Sequence, residues 1–377
     1  MVKFKIPFQR FSKFFLKPIP HLTSTNCIGI DVGTSSIKIV ELSKIGARVK
    51  LENYGETSIL TLYKNPFRTF EKNTLLLSSS DIGKIISAIL EEAAIRTKTA
   101  IFTIPDFSTF FTNIELPQMS KKELPNAVNF AAPQYIPLPL SEVVLDWQLI
   151  EGKAGGRSKT KLKILLVAVP HEVINQYRKI AEITKLETKF LEAEAFALLR
   201  SLTKTDKITI GLVEIGAQSA TCSIVDSGVL KSSHSLNIAG NEMTQSLAKT
   251  FSLSYKDAEK LKKKRGISPL LKEVQEQEED KAAKVILFSV DSILVEVQRI
   301  FNNFSRSGKK EVQKVILAGG SAQLPGIREY FSSVLKKEVE IINPFVNIFY
   351  PPILEETLKE ISPGYAIALG AALRGLE

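Results

Sequence analysis

Cysteine is nearly absent from this sequence: Cys27 and Cys222 are the only two in 377 residues. Both sit in strand-like apolar runs, so neither a disulfide framework nor a cysteine metal cluster can be built. That usage fits a reducing, intracellular setting. Long apolar runs are missing too, and no window approaches the ~18 residues of a membrane-spanning helix. The signature GxxxxGK[ST] occurs nowhere, and no GxGxxG follows a strand-like run, which excludes phosphate sites of those two kinds. His21, His171 and His234 are the only histidines and are scattered, so no histidine-based catalytic constellation is visible.

Acidic residues are lacking from positions 1–26, which hold Lys3, Lys5, Arg10, Lys13 and Lys17 and so half of the formal excess charge of +10. A helix from Phe8 to Lys17 would gather Phe8, Phe11, Phe14 and Phe15 on one side and place Arg10, Lys13 and Lys17 opposite. Pro7 suits its start and Pro18 its end. Charges interrupt every candidate secretory core. Two readings stand: a basic helix on an anionic membrane surface through residues 3–17, or a disordered or partner-binding tail. The other basic run, KLKKKR at 260–265, is followed by the acidic EVQEQEED. That pairing reads as a solvated, charge-patterned helical region and gives no nucleic-acid footprint.

What remains is globular, with 44% hydrophobic and 24% charged residues, and long enough for two or more domains. Strand-like runs at 27–31, 37–43, 47–52 and 99–104 accompany a helical pattern at about 81–96, which predicts an α/β domain. Residues 109–188 read as a separate unit. In it a strand (110–116), a helix (about 119–131), the Pro-rich PQYIPLPL, strands near 143–150 and 161–169, and a closing helix (171–184) follow one another. The strand–turn–strand pattern restarts at 207–240, helices dominate 241–305, and a strand at 314–319 leads into GGSAQLPG. The plan is two similar α/β halves with insertions.

Two turns carry the chemistry. IGIDVGTSSIKIVEL (28–42) and GLVEIGAQSATCSIV (211–225) each break two apolar runs with an acid, a glycine and small polar residues. Such a turn aims successive backbone N–H groups at one point and makes an anion-binding concavity, and glycine lets a phosphate approach closely. Thr34, Ser35 and Ser36 add hydroxyls, Lys38 offers a point charge, and Asp31 suits Mg²⁺ held through water. The second turn supplies Glu214, Gly216, Ala217, Gln218 and Ser219 from the facing half. A third element, LAGGSAQLPGI (317–327), brings the backbone of Gly319, Gly320 and Ser321 close to a flat ligand.

In order and spacing these elements resemble the actin-like ATPase superfamily, which includes Hsp70 chaperones and sugar kinases. Asp31, Gly33, Thr34 and Lys38 match its first phosphate motif, residues 213–219 its second, and Leu317–Ile327 its adenosine motif. The resemblance implies an α/β actin-like ATPase fold: two duplicated RNase H-like halves around a nucleotide cleft, with a small inserted α/β subdomain. It implies ATP and Mg²⁺ between the turns, with Asp31 and Glu214 toward the metal through water. Glu259 and Lys262 match a pair that contacts the nucleoside in some members. Glu192, in FLEAEAFALL, matches the first connecting helix beneath the cleft; it is either a water-positioning residue or a solvated helix charge. One departure is Glu214, where the superfamily usually carries aspartate. The extra methylene moves the carboxylate by ~1.5 Å, which bears on hydrolysis more than on binding.

The stretch ELPQMSKKELPNAVNFAAPQYIPLPLSEVVLDWQLI resembles the insertion of the PilM family of type IV pilus assembly proteins, with Tyr135, Ile136, Pro137, Pro139, Val143 and Asp146 fitting its pattern. That resemblance implies a cytoplasmic protein at the inner face of the cytoplasmic membrane, with several partners. They are the N-terminal peptide of PilN, bound between the first subdomain and the insertion, and the pilus motor ATPases; self-association is left open. Tyr135, Ile136 and Pro137 either line that peptide groove or are core. The implied divisions are a tail (1–26), subdomain 1A (27–108, completed by 189–206 and 355–377), the insertion 1C (109–188), subdomain 2A (207–240 and 310–354) and a helical 2B (241–309). The division anchor FtsA is the alternative resemblance, but its amphipathic helix is C-terminal, whereas the basic helix here is N-terminal. A small-molecule kinase would need an acceptor base, and Asp106, Glu115 and Asp146 form no constellation that points to one.

Overall fold

The computed structural model describes residues 3–4, 25–58, 70–71, 74–75, 78–155, 160–202, 207–268, 278–308 and 310–377. The helix expected over Phe8–Lys17 lies outside them. Along the chain come β1 (Lys3–Phe4), β2 (Thr25–Val32), β3 (Ser36–Ile45), β4 (Arg48–Ser58), the short pair β5 (Phe70–Glu71) and β6 (Thr74–Leu75), α1 (Ser79–Glu92) and β7 (Thr99–Ile104). Then follow β8 (Phe110–Leu116), α2 (Leu124–Ala131), β9 (Val143–Glu151), β10 (Leu162–Pro170), α3 (His171–Thr184), β11 (Glu187–Ala193) and α4 (Glu194–Arg200). The rest comprises β12 (Thr209–Ile215), β13 (Ala220–Asp226), β14 (Val229–Leu236), α5 (Gly240–Phe251), α6 (Tyr255–Arg265) and α7 (Glu278–Gly308). It closes with β15 (Lys314–Ala318), α8 (Ile327–Leu335), β16 (Glu338–Ile341) and α9 (Glu355–Gly375).

The two large sheets repeat one design. The first runs β1-β11-β7-β2-β3-β4 and the second β14-β13-β12-β15-β16. In each, an antiparallel three-stranded meander is extended by parallel strands, β7 and β11 in one, β15 and β16 in the other. The buried strands are rich in β-branched residues, as two-sided burial requires; β2 is apolar through Ile28 and Ile30, and β15 through Val315 and Leu317. Helices α4 and α9 share one core between the halves, through Ala197, Leu198, Ala368 and Leu369.

Three boundaries differ from the sequence reading. Of FLEAEAFALL, matched to a connecting helix, the first four residues (190–193) belong to β11, because parallel pairing with β7 overrides the helix preference of Leu, Glu and Ala. Helix α3, expected to close the insertion, packs instead into the first half, where Val173, Ile174, Tyr177 and Ile180 share a core with Ile28, Ile86 and Phe102. Among the described residues of the helical segment 241–309, Met243, Leu247, Ile286 and Val290 pack with Val213, Cys222 and Leu317 of the second sheet in one shared core. The insertion proper is the sheet β8-β10-β9 with α2 on it. A proline with φ of −57° stands at each of its junctions with the first half, Pro105 after β7 and Pro170 before α3.

Candidate functional site

The β2–β3 hairpin places Asp31 directly opposite Lys38 across the ladder. Asp31 is 5% exposed, and its Oδ1 has no hydrogen-bond partner. The Lys38 ammonium donates to Ser36 Oγ at 3.0 Å and lies 3.8 Å from Glu56. Burial pushes the Asp31 carboxyl up to about 6, with Lys38 pulling it down and Glu56 pushing it further up. Gly33, Thr34 and Ser35 form the partly exposed rim.

The β12–β13 hairpin has the same turn. A Cβ on Gly33 would lie 2.9 Å from the Ser36 carbonyl oxygen, and one on Gly216 would lie 3.0 Å from that of Ser219. Around the second turn, however, the backbone is tied down. Gly216 C=O accepts from Gly240 N–H at 3.1 Å and from Ser321 Oγ at 3.2 Å, and Ala217 C=O accepts from Asn241 N–H at 2.6 Å. Lys262 donates to Gly240 C=O at 3.0 Å and pairs with Glu259 at 2.7 Å. Glu259 also accepts from Thr244 Oγ1 at 2.6 Å. Burial alone would raise Glu259; Lys262 and Thr244 bring it below the usual carboxylate range. Burial holds the Lys262 ammonium below its ordinary value despite Glu259. Gly319, at φ +87°, sits where any side chain would strike Glu214 Oε1, and its N–H reaches Pro363 C=O of α9 at 2.9 Å. So Gly216, Gly240, Lys262, Glu259 and Ser321, drawn from four segments, form one wall. Gln218 lies partly buried on the same turn.

Between the turns lies a group of carboxylates. Glu214 is pushed up to about 8, first by burial and then by Asp31 and Asp106, against Lys38. Asp106 is pushed up to about 7 by burial, although it accepts from Ala195 N–H at 3.2 Å and from Ser233. Glu194, at the first position of α4, is raised well above its usual value by burial, then by Asp31, Asp106 and Glu214. Its Oε2 accepts from Asp106 N–H at 3.2 Å, so the two acids cap each other's backbone. Uncompensated buried charge is unfavourable, and a cation between the turns relieves it. Among the described residues no three His, Cys, Asp or Glu are grouped closely enough to ligate a metal directly. Asp31, with its unpartnered oxygen, and Glu214 are oxygen donors of the kind that hold a hydrated Mg²⁺ through water.

Other sequence candidates fall elsewhere. Glu192 is on β11, not on a helix. It is 1% exposed, and both its oxygens take hydrogen bonds from Arg200 at 2.6 Å, so it is neither a solvated charge nor free toward the cleft. The acid that faces the cleft group is Glu194, two residues on. An acid at the first position of a helix following a strand was the available signal. Glu115 is exposed and paired with Lys161 at 3.1 Å, and Asp146 lies on β9, apart from the carboxylate group. In the insertion the three partner candidates divide. Ile136 is core at 6% exposed, whereas Tyr135 (46% exposed) and Pro137 face solvent, near Phe130 at 83%.

A family model described as type IV pilus assembly protein PilM matches residues 29–376. The chain belongs to that family. Among solved structures, a PilM–PilN type IV pilus biogenesis complex aligns with a TM-score of 0.80 at 23% identity, covering 93% of this chain and 98% of that one. The ethanolamine utilization protein EutJ of Carboxydothermus hydrogenoformans aligns at 0.55 and 15% identity, over 95% and 91% of the two chains. MreB5 of Spiroplasma citri, bound to ADP, aligns at 0.52 and 11%, over 92% and 95%. The fold is that of the actin-like ATPase superfamily. No described helix of this PilM-family protein is long and apolar enough to cross a membrane.

Proposed function

We propose that this type IV pilus assembly protein is a nucleotide-gated adaptor. It binds ATP with Mg²⁺ between its two hairpin turns and the N-terminal cytoplasmic peptide of a PilN-like partner beside the insertion. The observation that carries the nucleotide reading is the buried, unpartnered Asp31 oxygen, on a carboxylate close enough to Glu214 beside the second turn for the two to repel. When bound, Mg²⁺ would supply positive charge against the phosphates, and Asp31 and Glu214 would hold it through water. Lys38 would release Ser36 to meet a phosphate, while the backbone N–H groups of Gly33–Ser35 and of Ala217 approach the anion, the Gly216 N–H staying on the Ser219 carbonyl at 3.0 Å. Gly319, Gly320 and Ser321 would border the nucleoside, with Glu259 and Lys262 bracing that wall. Glu194, held by Asp106 N–H, takes the water-positioning role first assigned to Glu192. Burial and the neighbouring Asp31, Asp106 and Glu214 favour its protonated form, which argues for slow or absent hydrolysis.

The peptide reading is supported by family membership and by a relative solved as a PilM–PilN complex. In this proposal 1A, 1C, 2A and 2B act as mechanical units, the angle between halves sets peptide affinity, and the output reaches the pilus motor ATPases. Residues 3–17 hold the protein at anionic lipid on the inner face of the cytoplasmic membrane. The test is titration of a labelled peptide from the cytoplasmic start of the PilN-like partner, with and without Mg-ATP. Saturable binding that shifts with nucleotide supports the reading. Asp31→Ala weakens Mg-ATP by at least ~10-fold, as loss of a charge-assisted contact does; unchanged affinity removes the site assignment.

A further inference from the structure

The insertion meets the second half chiefly at β14, with apolar support from β13, at a place where the β14 ladder is irregular. Register along β13–β14 runs Ile224 to Ser232 and then Val225 to Leu230, so Lys231 is an extra, bulged residue. A bulge frees backbone groups from the ladder and re-aims the side chain. Both effects are present. Lys231 C=O accepts from Asn113 Nδ2 of β8 at 2.9 Å, and its ammonium donates to Ile150 C=O of β9 at 2.6 Å. One residue thus grips both outer strands of the inserted sheet. Apolar packing surrounds it: Phe111, Ile150, Leu165 and Val167 of the insertion meet Val225 and Leu230. Two residues further along β14, Ser233 reaches the cleft through Asp106 and shares a 2.9 Å hydrogen bond with Ser223 of β13.

The opposite end of β13 is the second anion turn. Ala220 directly follows Ser219, and β13 extends through seven residues to Asp226, about 20 Å at the usual strand rise. Asp226 accepts from Thr209 Oγ1 at 2.9 Å and pairs with Lys310 at 2.7 Å, which fixes the far end of the rod to the second half. We propose that the β13–β14 hairpin is a rigid lever and that the Lys231 bulge is its coupling point, passing to the inserted sheet the displacement of the second half as a body when nucleotide seats against its braced Gly216–Ser219 turn. This rests on the nucleotide reading above and adds the route by which the cleft regulates the insertion.

The experiment is hydrogen exchange followed by mass spectrometry on the full chain, with and without Mg²⁺ and a non-hydrolysable ATP analogue. Native protein, Lys231→Met and Asn113→Leu are compared, and nucleotide affinity is measured on the same samples. Nucleotide slows exchange in Phe110–Leu116 and Val143–Glu151 of the native protein by about 5-fold or more, the usual lower range of coupled sites. In both variants that difference falls below about 2-fold, with nucleotide affinity unchanged because neither residue touches the cleft. Equal protection in native and variant proteins, or none in the native protein despite bound nucleotide, overturns the lever. No partner peptide enters this measurement, so its failure leaves the adaptor reading intact. Failure of the peptide titration, in turn, leaves the lever standing.

Discussion

The two hairpin turns are copies in backbone and opposites in support. Each closes on a glycine where an added Cβ would lie against the carbonyl oxygen three residues ahead, at 2.9 Å for Gly33 and 3.0 Å for Gly216. The Gly216 turn is stitched to α5, α6 and the Gly319–Ser321 segment by main-chain and Lys262 hydrogen bonds. The Gly33 turn has a lysine on a neighbouring serine and an aspartate with a bare oxygen. Duplication has left one turn as scaffold and the other as the side where charge awaits a ligand. Preorganised donors need no rearrangement on binding, while unsatisfied charge stores free energy that a ligand releases.

That contrast can be broken by mutation. Lys262→Met removes a donor from Gly240 C=O and leaves Glu259 with Thr244 and the outer Lys263. It should lower stability by about 2 kcal/mol in chemical denaturation, less than for a fully buried pair because Glu259 keeps some water. A negligible change would mean that the second turn is not braced by this pair. Asp31→Asn should do the reverse to the ligand-free protein, raising its stability by about 1 kcal/mol as the buried charge is lost, while abolishing the thermal shift on adding Mg-ATP.

The pH dependence of the ligand-free protein sharpens the same point. Asp31, Asp106 and Glu214 hold protons in the folded state to about 6, 7 and 8, where the unfolded chain releases them near 4. Their contribution is therefore full below about pH 4 and is lost as pH rises through 6 to 8. Melting temperature should fall over that range, and the Mg-ATP shift should grow over it. A flat or rising profile that Asp31→Asn does not alter would contradict it. The smallest effect is expected for Lys38→Met, under about 1 kcal/mol in stability because Glu56 is exposed, yet accompanied by weaker nucleotide binding. Equal losses for Lys38→Met and Lys262→Met would erase the distinction between the turns.

Much of this was legible in the residues. The acid–glycine turns, their order and the two-half plan follow from alternating apolar runs broken by DVGTSS and EIGAQS, because local turn chemistry and strand period are written locally. Glu192 and Glu194 were not separable in the same way. In LEAEAFALL every residue is a good helix former, and only pairing with β7 decides that the strand persists through Ala193. The placement of α3 and the sharing of one core by residues 241–309 with the second sheet are likewise set by distant contacts. Tyr135, Ile136 and Pro137 divided because Ile136 alone points into the insertion core. Lys231 carried no signal at all, since a bulge depends on the partner strand.

The insertion enters and leaves the first half at Pro105 and Pro170, both next to elements buried in the same core. Two fixed attachment points define a line, and proline rings stiffen each of them. A body held this way keeps one easy rotation, about that line, and resists sliding or twisting. A rotation about that line displaces the insertion most at positions far from the two prolines, among them the β8 and β9 contacts with Lys231, and least beside them. The surface of the insertion farthest from the prolines is therefore the part whose position a change at the Lys231 contact alters most.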